Sequence, residues 1–306
     1  MRGSVKVGDT PSPTPGFRER KPDWLKIRLS TSPAYEEVKG LIRAHGLHTV
    51  CQEAQCPNSA HCFERRTATF LLLGDTCTRS CRFCAVKTGR PFLPDPEEPE
   101  RVAEAAKILG LKHVVLTSVT RDDLSDGGAE HFAETVRRIR LRIKPISIEV
   151  LIPDFKGSRE ALRVVVDSRP EVINHNVETV PRLYPEVRPQ ARYERSLDLL
   201  RWVKEENPRI ASKSGLMVGL GEVPEEVLEV MADLRKVNCD ILTIGQYLAP
   251  SPFHHPVVEY VNPEQFAYYK QEGMARGFSA ISSGPLVRSS FHAGEFYQEA
   301  AGAETP

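Results

Sequence analysis

Residues 68–84 read A-T-F-L-L-L-G-D-T-C-T-R-S-C-R-F-C, an apolar run followed by three closely spaced cysteines. The run at 68–73 is short and rich in Leu, which is typical of a buried β-strand. Cys77, Cys81 and Cys84 follow in the segment that leaves this strand. In parallel α/β folds the chemistry lies at the carboxyl ends of the strands, so this stretch predicts a functional loop in such a fold.

The same pattern continues along the chain, as short apolar runs alternate with longer amphipathic stretches. Together with 68–73, the apolar runs predict strands at 113–118, 146–151, 172–175, 210–218 and 240–245. The amphipathic stretches predict helices at 99–109, 129–141, 158–166, 193–206, 224–237 and 263–275, several of them opened by proline. The chain is therefore predicted to contain six βα units.

Six units are too few for a complete (β/α)8 barrel, which leaves a doubly wound sheet or an incomplete barrel. Polar stretches also follow other strands: T-S-V-T-R-D-D-L-S-D-G-G after the second, H-N-V-E-T after the fourth and G-L-M-V-G-L-G-E at the end of the fifth. Loops that converge on one mouth suit a barrel better than an open sheet. We therefore expect an α/β fold, an incomplete (β/α)6 TIM-like barrel with N- and C-terminal extensions.

Composition excludes several classes of protein. The chain has 306 residues, 40% of them apolar, and 41 Lys+Arg balance 41 Asp+Glu. A net charge of zero gives no field that would attract nucleic acid, so a nucleic-acid partner is not expected. The sequence shows no apolar run long enough for a membrane span and no apolar stretch of a signal peptide at its start, so we expect no membrane and a cytoplasmic location.

The cysteines are the main functional clue, because six of the seven lie between residues 51 and 84. Thiols in a long chain without a secretion signal should stay reduced, which favours metal binding over disulfides. Cys77, Cys81 and Cys84 have the spacing C-x3-C-x2-C. Zinc in a structural site is coordinated by four ligands, whereas a [4Fe–4S] cluster held by three thiolates keeps one iron free for a small molecule.

A second group, Cys51, Cys56 and Cys62, has the spacing C-x4-C-x5-C and again offers only three thiols. The one remaining cysteine, Cys239, begins the run C-D-I-L-T-I and is expected in the core. A fourth ligand to a cluster at this group must then be an oxygen or a nitrogen.

Both cysteine spacings are similar to those of a known family. The spacing C-x3-C-x2-C after a strand resembles the radical S-adenosylmethionine superfamily. The two triplets together, with R-S-S-F-H at 288–292, resemble the lipoyl synthases. Further stretches agree with that family from residue 21 to about 292: K-P-D-W-L-K, T-S-V-T-R-D-D-L-S-D-G-G-A, V-L-I-P-D-F-K-G, H-N-V-E-T-V, L-Y-P-E-V-R-P, K-S-G-L-M-V-G-L-G-E and I-G-Q-Y-L-A-P-S.

The resemblance implies two [4Fe–4S] clusters and S-adenosylmethionine as cofactors. Cys77, Cys81 and Cys84 would hold the cluster whose free iron binds S-adenosylmethionine. Cys51, Cys56 and Cys62 would hold an auxiliary cluster. In the family, the second serine of R-S-S-Y-H ligates that cluster, which corresponds to Ser290 here. Phe291 replaces the usual tyrosine of this motif.

The implied reaction is the insertion of two sulfur atoms at carbons 6 and 8 of an octanoyl chain on a lysine of a lipoyl carrier domain. The carrier would be an E2 subunit or the glycine-cleavage H protein. No side-chain base near neutral pKa can remove a proton from such carbons, so a 5′-deoxyadenosyl radical would abstract hydrogen and the auxiliary cluster would donate sulfur. An electron donor such as ferredoxin or flavodoxin and a cluster-repair protein are also implied partners.

Contacts to S-adenosylmethionine are expected from the strand ends. Asn176 and Glu178 project on alternate residues and suit ribose hydroxyls, and Arg188 lies between two prolines and suits a carboxylate. A loop network for the first two and a solvated surface position for Arg188 are the alternatives. The predicted set of contacts is Phe83, Thr117, Glu149, Asn176, Glu178 and Arg188.

Four segments are expected in the chain: a flexible arm at 1–22, an N-terminal extension at 23–66 with the auxiliary cysteines, a partial barrel at 67–276 and a C-terminal extension at 277–306 that supplies Ser290. Three rival functions remain open from the sequence. They are a biotin-synthase-like sulfur inserter, although C-x4-C-x5-C would then be unexplained, a two-cluster electron carrier or scaffold, and a zinc-dependent interaction module.

Overall fold

The computed structural model describes residues 20–27, 32–300 and 302. The predicted flexible arm at 1–22 therefore lies outside the described residues, except for its last three positions. Residues 68–84 form the strand and cysteine loop expected from the sequence, and the βα alternation that follows builds the rest of the fold.

One eight-stranded sheet forms the centre of the molecule, in the order β1-β2-β5-β6-β7-β8-β9-β10. Its strands are β1 His48–Thr49, β2 Thr69–Leu72, β5 His113–Ser118, β6 Ser147–Leu151, β7 Val172–Asn174, β8 Ala211–Val218, β9 Ile241–Gln246 and β10 Ala280–Gly284. The seven strands from β2 to β10 in this order are parallel, and β1 pairs with β2 antiparallel. Since β2 and β10 are not neighbours in the sheet, the barrel is incomplete.

All six predicted strands are confirmed, with ends that differ by at most one residue. The seventh parallel strand, β10, was not predicted. It reads A-I-S-S-G, and only its first two residues are apolar, so the run gives too weak a strand pattern. Because β10 pairs with β9 from Ala280 to Gly284, part of the stretch assigned to the C-terminal extension belongs to the sheet.

The six predicted helices are confirmed as α4 Glu98–Ile108, α5 Ala129–Arg142, α6 Arg159–Asp167, α8 Tyr193–Glu206, α9 Pro224–Lys236 and α10 Pro263–Ala275. Helix α6 shows why such stretches are helical. The Ser158 hydroxyl accepts a hydrogen bond from the amide of Ala161 and so caps the first turn. The buried residues Ala161, Leu162, Val165 and Val166 recur on one face, which packs against the sheet layer.

Five further helices complete the part of the chain that the structure describes: α1 Pro33–Ala44, α2 Val50–Glu53, α3 Ser59–Glu64, α7 Tyr184–Val187 and α11 Ala293–Ala300. Helices α1, α2 and α3 form the N-terminal extension, and β1 attaches this extension to the edge of the sheet. A separate two-stranded sheet, β3 Thr76–Cys77 with β4 Lys87–Thr88, frames the cysteine loop. None of the described helices combines the length and the apolar character needed to cross a bilayer.

The core consists of two apolar clusters on the two halves of the barrel. One surrounds the first strands with α4, α5 and α6, and includes Phe70, Leu116 and Phe132, all fully buried. The other surrounds β8 and β9 with α9 and α10, and includes Leu242 and Phe266. Burial of each such side chain contributes about 1.5–3 kcal/mol, so these clusters hold the strand ends in fixed positions around the mouth.

Candidate functional site

Cys77 is the last residue of β3, and Cys81 and Cys84 lie in the loop between β3 and β4. The carbonyl of Cys77 accepts a hydrogen bond from the amide of Gly89 at 3.0 Å, which closes the base of the loop. The Cys77 sulfur accepts two backbone N–H donors, from Arg79 at 3.4 Å and from Thr120 at 3.3 Å. These two hydrogen bonds hold the sulfur of Cys77 in a fixed position at the base of the loop.

Arg79 anchors this loop to the barrel. Its guanidinium donates to Asp122 Oδ2 at 2.7 Å and to Asp154 Oδ1 at 2.6 Å, in the loops after β5 and β6. The side chains of Arg79 and Asp154 are only 5% and 1% exposed. These hydrogen bonds and charges hold the pKa of Asp154 well below its usual range, against the opposing effect of burial. The loop is thus fixed to two neighbouring strand ends by a buried ion network.

The other side of the loop is held by backbone contacts. The amide of Arg82 donates to the carbonyl of Val187 at 2.9 Å, and the carbonyl of Arg82 accepts from the amide of His255 at 2.7 Å. Nε2 of His254 lies 3.0 Å from the carbonyl of Cys84. The cysteine loop is therefore tied to α7 and to the segment after β9.

Burial raises the pKa of Cys81, and it raises the pKa of Cys84 to about 12. Neighbouring thiols act in the same direction, because Cys77 and Cys81 both oppose ionisation of Cys84. The three thiols therefore lie close enough to influence one another, and a bound cation is needed to keep them ionised together. Among the described residues no three His, Cys, Asp or Glu side chains converge on a single-ion position. A [4Fe–4S] cluster binds each thiolate on a different iron, so three separated thiols fit it better than one zinc ion.

The H-N-V-E stretch lies beside this loop at the end of β7. Asn176 Nδ2 donates to Glu178 Oε1 at 3.0 Å. Arg188 Nη1 donates to the carbonyls of Asn176 and Val177 at 2.9 and 3.0 Å, and the Arg188 guanidinium lies over the Tyr184 ring. Arg188 is buried, yet its Nε has no hydrogen-bond partner. A buried cation with a free donor beside Cys81 is suited to an anionic group of a ligand.

The second cysteine group lies on the N-terminal extension. Cys51 is in α2, Cys62 is in α3, and Cys56 is in the connection between them. Burial, with the neighbouring Cys56 thiol acting in the same direction, raises the pKa of Cys51 to about 12 and of Cys62 to about 11. The three thiols therefore form a second group with the same electrostatic need for a bound cation.

A segment near the C-terminus packs against this second group. Asn58 Nδ2 donates to the carbonyl of Leu286 at 2.6 Å, and the ring of His61 lies 5.6 Å from the ring of Phe291. Arg65 pairs with Glu295 at 3.0 Å. The guanidinium of Arg288 lowers the pKa of the Cys56 thiol, although burial raises it overall. Contacts on both sides of Ser290 thus bring residues 286–295 to the helices that carry the cysteines.

Comparison with known proteins decides the family. The model of the radical SAM superfamily matches residues 71–234. A lipoyl synthase of Rubrobacter xylanophilus is 56% identical over 283 residues, which cover 92% of this chain and 88% of the relative. A lipoyl synthase of Caldanaerobacter subterraneus is 59% identical over 274 residues, 90% of this chain and 96% of the relative. The chain belongs to the lipoyl synthase family.

Solved structures agree on the fold. Methylornithine synthase has a TM-score of 0.55 at 14% identity, with 80% of this chain and 74% of that chain covered. SuiB of Streptococcus suis bound to S-adenosylmethionine has a TM-score of 0.54 at 12% identity, with 84% and 57% covered. These similarities support the partial TIM-like barrel of a radical SAM protein.

As a lipoyl synthase, the chain is a radical SAM sulfurtransferase, and its cofactors are S-adenosylmethionine and two [4Fe–4S] clusters. The zinc module, the simple electron carrier and the biotin-synthase-like enzyme are therefore not supported. The structure brings together Cys77, Cys81 and Cys84; it also brings together Asn176, Glu178 and Arg188.

Three predicted cofactor contacts have other partners in this lipoyl synthase. Glu149 is fully buried, and Lys213 Nζ lies 2.9 and 3.0 Å from its two oxygens, so a cofactor contact would require this ion pair to open. Thr117 Oγ1 donates to the carbonyl of Leu151 at 3.0 Å. Phe83 packs against the second apolar cluster. The structure gives these three residues structural contacts, and a cofactor role for them stays a prediction.

Other residues have structural roles, and among them Cys239 was expected in the core. Cys239 is fully buried, and its thiol donates to backbone carbonyls. His175 is satisfied in the core by the carbonyl of Ile152 and the Ser196 hydroxyl. Asp122 pairs with Arg79, and Asp123 pairs with Arg121, so the aspartates of the loop after β5 stabilise that loop.

Sequence reasoning missed three functional neighbours: Arg79, Lys213 and Arg288. Arg79 lies inside C-T-R-S-C, where its position between two ligands was the available signal. Arg288 begins the R-S-S-F-H motif and was quoted only as part of it. Lys213 gave no signal, because its partner Glu149 lies 64 residues away and two strands across the sheet.

Proposed function

We propose that this lipoyl synthase inserts sulfur at carbons 6 and 8 of an octanoyl chain that is amide-linked to a lysine of a lipoyl carrier domain. The observation that carries the proposal is the presence of two separate three-thiol groups on one chain, one at the barrel mouth and one against residues 286–295. One group suits radical formation, and the other suits a cluster that is consumed as a sulfur source.

The residues that would hold the cofactors follow from the two groups. Cys77, Cys81 and Cys84 would ligate the first cluster, and Asn176, Glu178 and Arg188 would bind S-adenosylmethionine. Cys51, Cys56, Cys62 and Ser290 would ligate the auxiliary cluster. When bound, these cofactors supply a 5′-deoxyadenosyl radical and sulfide, chemistry that no side chain of the protein offers.

The protein's own residues orient and shield the reactants. Arg188, with its free Nε, is suited to hold the carboxylate of S-adenosylmethionine. Glu178 accepts from Asn176 through one oxygen, and no other described hydrogen bond reaches its second oxygen, which suits it to accept from a ribose hydroxyl. The buried Arg79 network holds the cysteine loop at a fixed place relative to these groups. Correct positioning of this kind is worth several orders of magnitude in rate.

The proposal also includes the division of the chain and its partners. Residues 23–66 would form the extension that carries the auxiliary site, and 67–276 together with β10 would form the partial barrel. The segment that follows β10 would be the extension that supplies Ser290. The carrier would be an E2 subunit or the glycine-cleavage H protein. An electron donor such as ferredoxin or flavodoxin and a cluster-repair protein would act with it. A cytoplasmic location fits six clustered thiols that must stay reduced.

Mass spectrometry of an octanoyl-lysine peptide tests this function. The peptide is incubated with reconstituted protein, reductant and S-adenosylmethionine, and a gain of two sulfur atoms is the expected result. Free octanoate is the matched substrate control. Binding energy from the tether should position carbons 6 and 8, so free octanoate should react far more slowly. Equal turnover of the two substrates would contradict the proposed carrier specificity.

A further inference from the structure

The segment at 286–290 crosses the barrel mouth in close contact with two strands. The carbonyl oxygen of Val287 lies 2.1 Å from where a Cβ on Gly245 of β9 would be. Ser289 Oγ lies 2.7 Å from where a Cβ on Gly215 of β8 would be, and Asn176 Oδ1 lies 2.6 Å from the same position. A side chain at Gly245 would displace the backbone of the segment, and a side chain at Gly215 would displace the side chains of Ser289 and Asn176. These two glycines therefore provide the space in which the segment lies.

Within this space Ser289 contacts a predicted cofactor residue. Its Oγ donates to Asn176 Oδ1 at 3.0 Å, while Nδ2 of the same amide donates to Glu178 Oε1 at 3.0 Å. Both polar atoms of the Asn176 amide are therefore hydrogen-bonded, Oδ1 to Ser289 of the C-terminal segment and Nδ2 to Glu178. With Ser289 in place, the amide has a defined orientation and Glu178 has a defined neighbour.

We propose that Ser289 is a positioning residue that orients Asn176 and Glu178 for S-adenosylmethionine, so that the turn carrying Ser290 also completes the cofactor site. The inference rests on the proposed function, because it takes Asn176 and Glu178 as cofactor contacts and Ser290 as a ligand of the auxiliary cluster. Ser289 touches neither cofactor in this account. It acts through Asn176.

The arrangement links the two cysteine groups energetically. Ser290 follows Ser289 directly, so whatever holds Ser290 at the auxiliary site also holds Ser289 against Asn176. Thermodynamic coupling between two events acts in both directions. If docking of residues 286–290 favours binding of S-adenosylmethionine, binding must therefore favour the docked position of these residues. Loss of one hydrogen bond of this kind is expected to weaken cofactor binding about fivefold, which corresponds to about 1 kcal/mol.

Equilibrium binding of radiolabelled S-adenosylmethionine to the reconstituted protein tests the proposal. Four proteins form a double-mutant cycle: wild type, Ser289→Ala, Asn176→Ala and the double variant. Ser289→Ala should bind about fivefold more weakly with unchanged iron content, and it should cost nothing more in the Asn176→Ala background. Ser283→Ala is the matched control, because its hydroxyl donates to the carbonyl of Phe266 instead of to the mouth, and its affinity should equal wild type.

Hydrogen exchange gives a second readout that does not depend on turnover. In the wild-type reconstituted protein, addition of S-adenosylmethionine should slow exchange of the amides at 287–291. Ser289→Ala should lose most of that slowing, and Ser283→Ala should keep it. A purely structural role for Ser289 would change the exchange rate equally with and without the cofactor.

The possible failures are distinguishable. If Asn176→Ala weakens cofactor binding but Ser289→Ala does not, or if the two losses add, the positioning role of Ser289 is wrong while the proposed cofactor contact stands. If Asn176→Ala leaves the affinity unchanged, the proposed cofactor contact itself is wrong, and the inference fails with it.

Discussion

The two cysteine groups are held in different ways. The loop with Cys77, Cys81 and Cys84 is fixed by the buried Arg79 network and by backbone contacts to α7. The group with Cys51, Cys56 and Cys62 lies between short helices and residues 286–295, and its ion pair Arg65–Glu295 is about half exposed, at 51% and 52%. The first site is built into the barrel, whereas the second is assembled from two distant parts of the chain. The rigid first site suits a cluster that must be preserved, and the second site suits a cluster that is consumed.

Removing each cysteine group in turn tests whether the two sites are independent and have different functions. Changing Cys77, Cys81 and Cys84 to Ala should abolish cleavage of S-adenosylmethionine and leave about half of the iron. Changing Cys51, Cys56 and Cys62 to Ala should preserve formation of deoxyadenosine while sulfur insertion disappears. Iron assays and chromatography of both products give the answer. Complete loss of iron from either variant would mean that the sites are not independent.

The anchors of the two regions should differ strongly in their effect on stability. Arg79→Ala leaves the buried carboxylate of Asp154 short of a partner and should lower the free energy of unfolding by about 3–5 kcal/mol. Arg65→Ala removes an exposed pair and should cost about 0–1 kcal/mol. Urea unfolding of both variants measures this. Equal losses would show that the second region is anchored as firmly as the first.

As the proposed oxygen ligand, Ser290 should make the auxiliary cluster the less durable of the two. An alkoxide is harder than a thiolate and is released more easily on protonation, so Ser290→Cys should retain the cluster but transfer less sulfur. Ser290→Ala should load a cluster that loses iron to a chelator on the order of ten times faster. Iron content, cluster spectra and product yield check both variants. Wild-type sulfur transfer by Ser290→Cys would refute a role for the serine in cluster disassembly.

Arg288 should matter most to the second region. Its charge faces Cys56, and the guanidinium is partly buried there, so it offsets the negative charge of thiolates at this site. Arg288→Gln should weaken iron retention at the auxiliary site on the order of tenfold, and Arg288→Lys should lose less. Chelator kinetics on the Cys77, Cys81 and Cys84 triple variant isolate this site. Unchanged kinetics in Arg288→Gln would exclude the charge effect.

The barrel should also show a pH dependence of its own. Burial first, and the Arg188 charge next, lower the pKa of His175 to about 4, below its usual value of 6.5. The unfolded chain therefore binds a proton that the folded chain does not, and stability should fall as pH drops from about 6.5 to 4, by up to about 1.4 kcal/mol per unit. Urea unfolding over this range should show a shallower slope for His175→Gln. An identical slope would assign the acid sensitivity to other groups.

Much of the fold could be predicted, because long-range architecture here follows from local pattern. The Leu-rich run at 68–73 and the amphipathic stretch at 193–206 have the periods of a strand and a helix, and both were confirmed. Strand β10 was not predicted from the sequence, because Ser282, Ser283 and Gly284 follow only two apolar residues. Its place in the sheet depends on pairing with β9, which no local pattern reveals.

The part of the site that could be predicted is the part marked by the spacing of chemically characteristic residues along the sequence. The cysteine spacings identify cluster ligands, and H-N-V-E places Asn176 and Glu178 at a strand end. The spacing of residues along the sequence does not show which side chains contact each other across the folded barrel. Glu149 meets Lys213, and Asn176 meets Ser289 at a separation of 113 residues, contacts that exist only once the barrel has formed.

The order of the proposed ligands along the chain has a consequence for damaged genes and messages. All six clustered cysteines precede residue 85, whereas Ser289 and Ser290 come after β10. A premature stop codon just beyond β10 would yield a chain with every thiol and every described strand but without the proposed oxygen ligand. We expect such a truncated product to compete for iron and sulfide during cluster assembly and to return no lipoyl product.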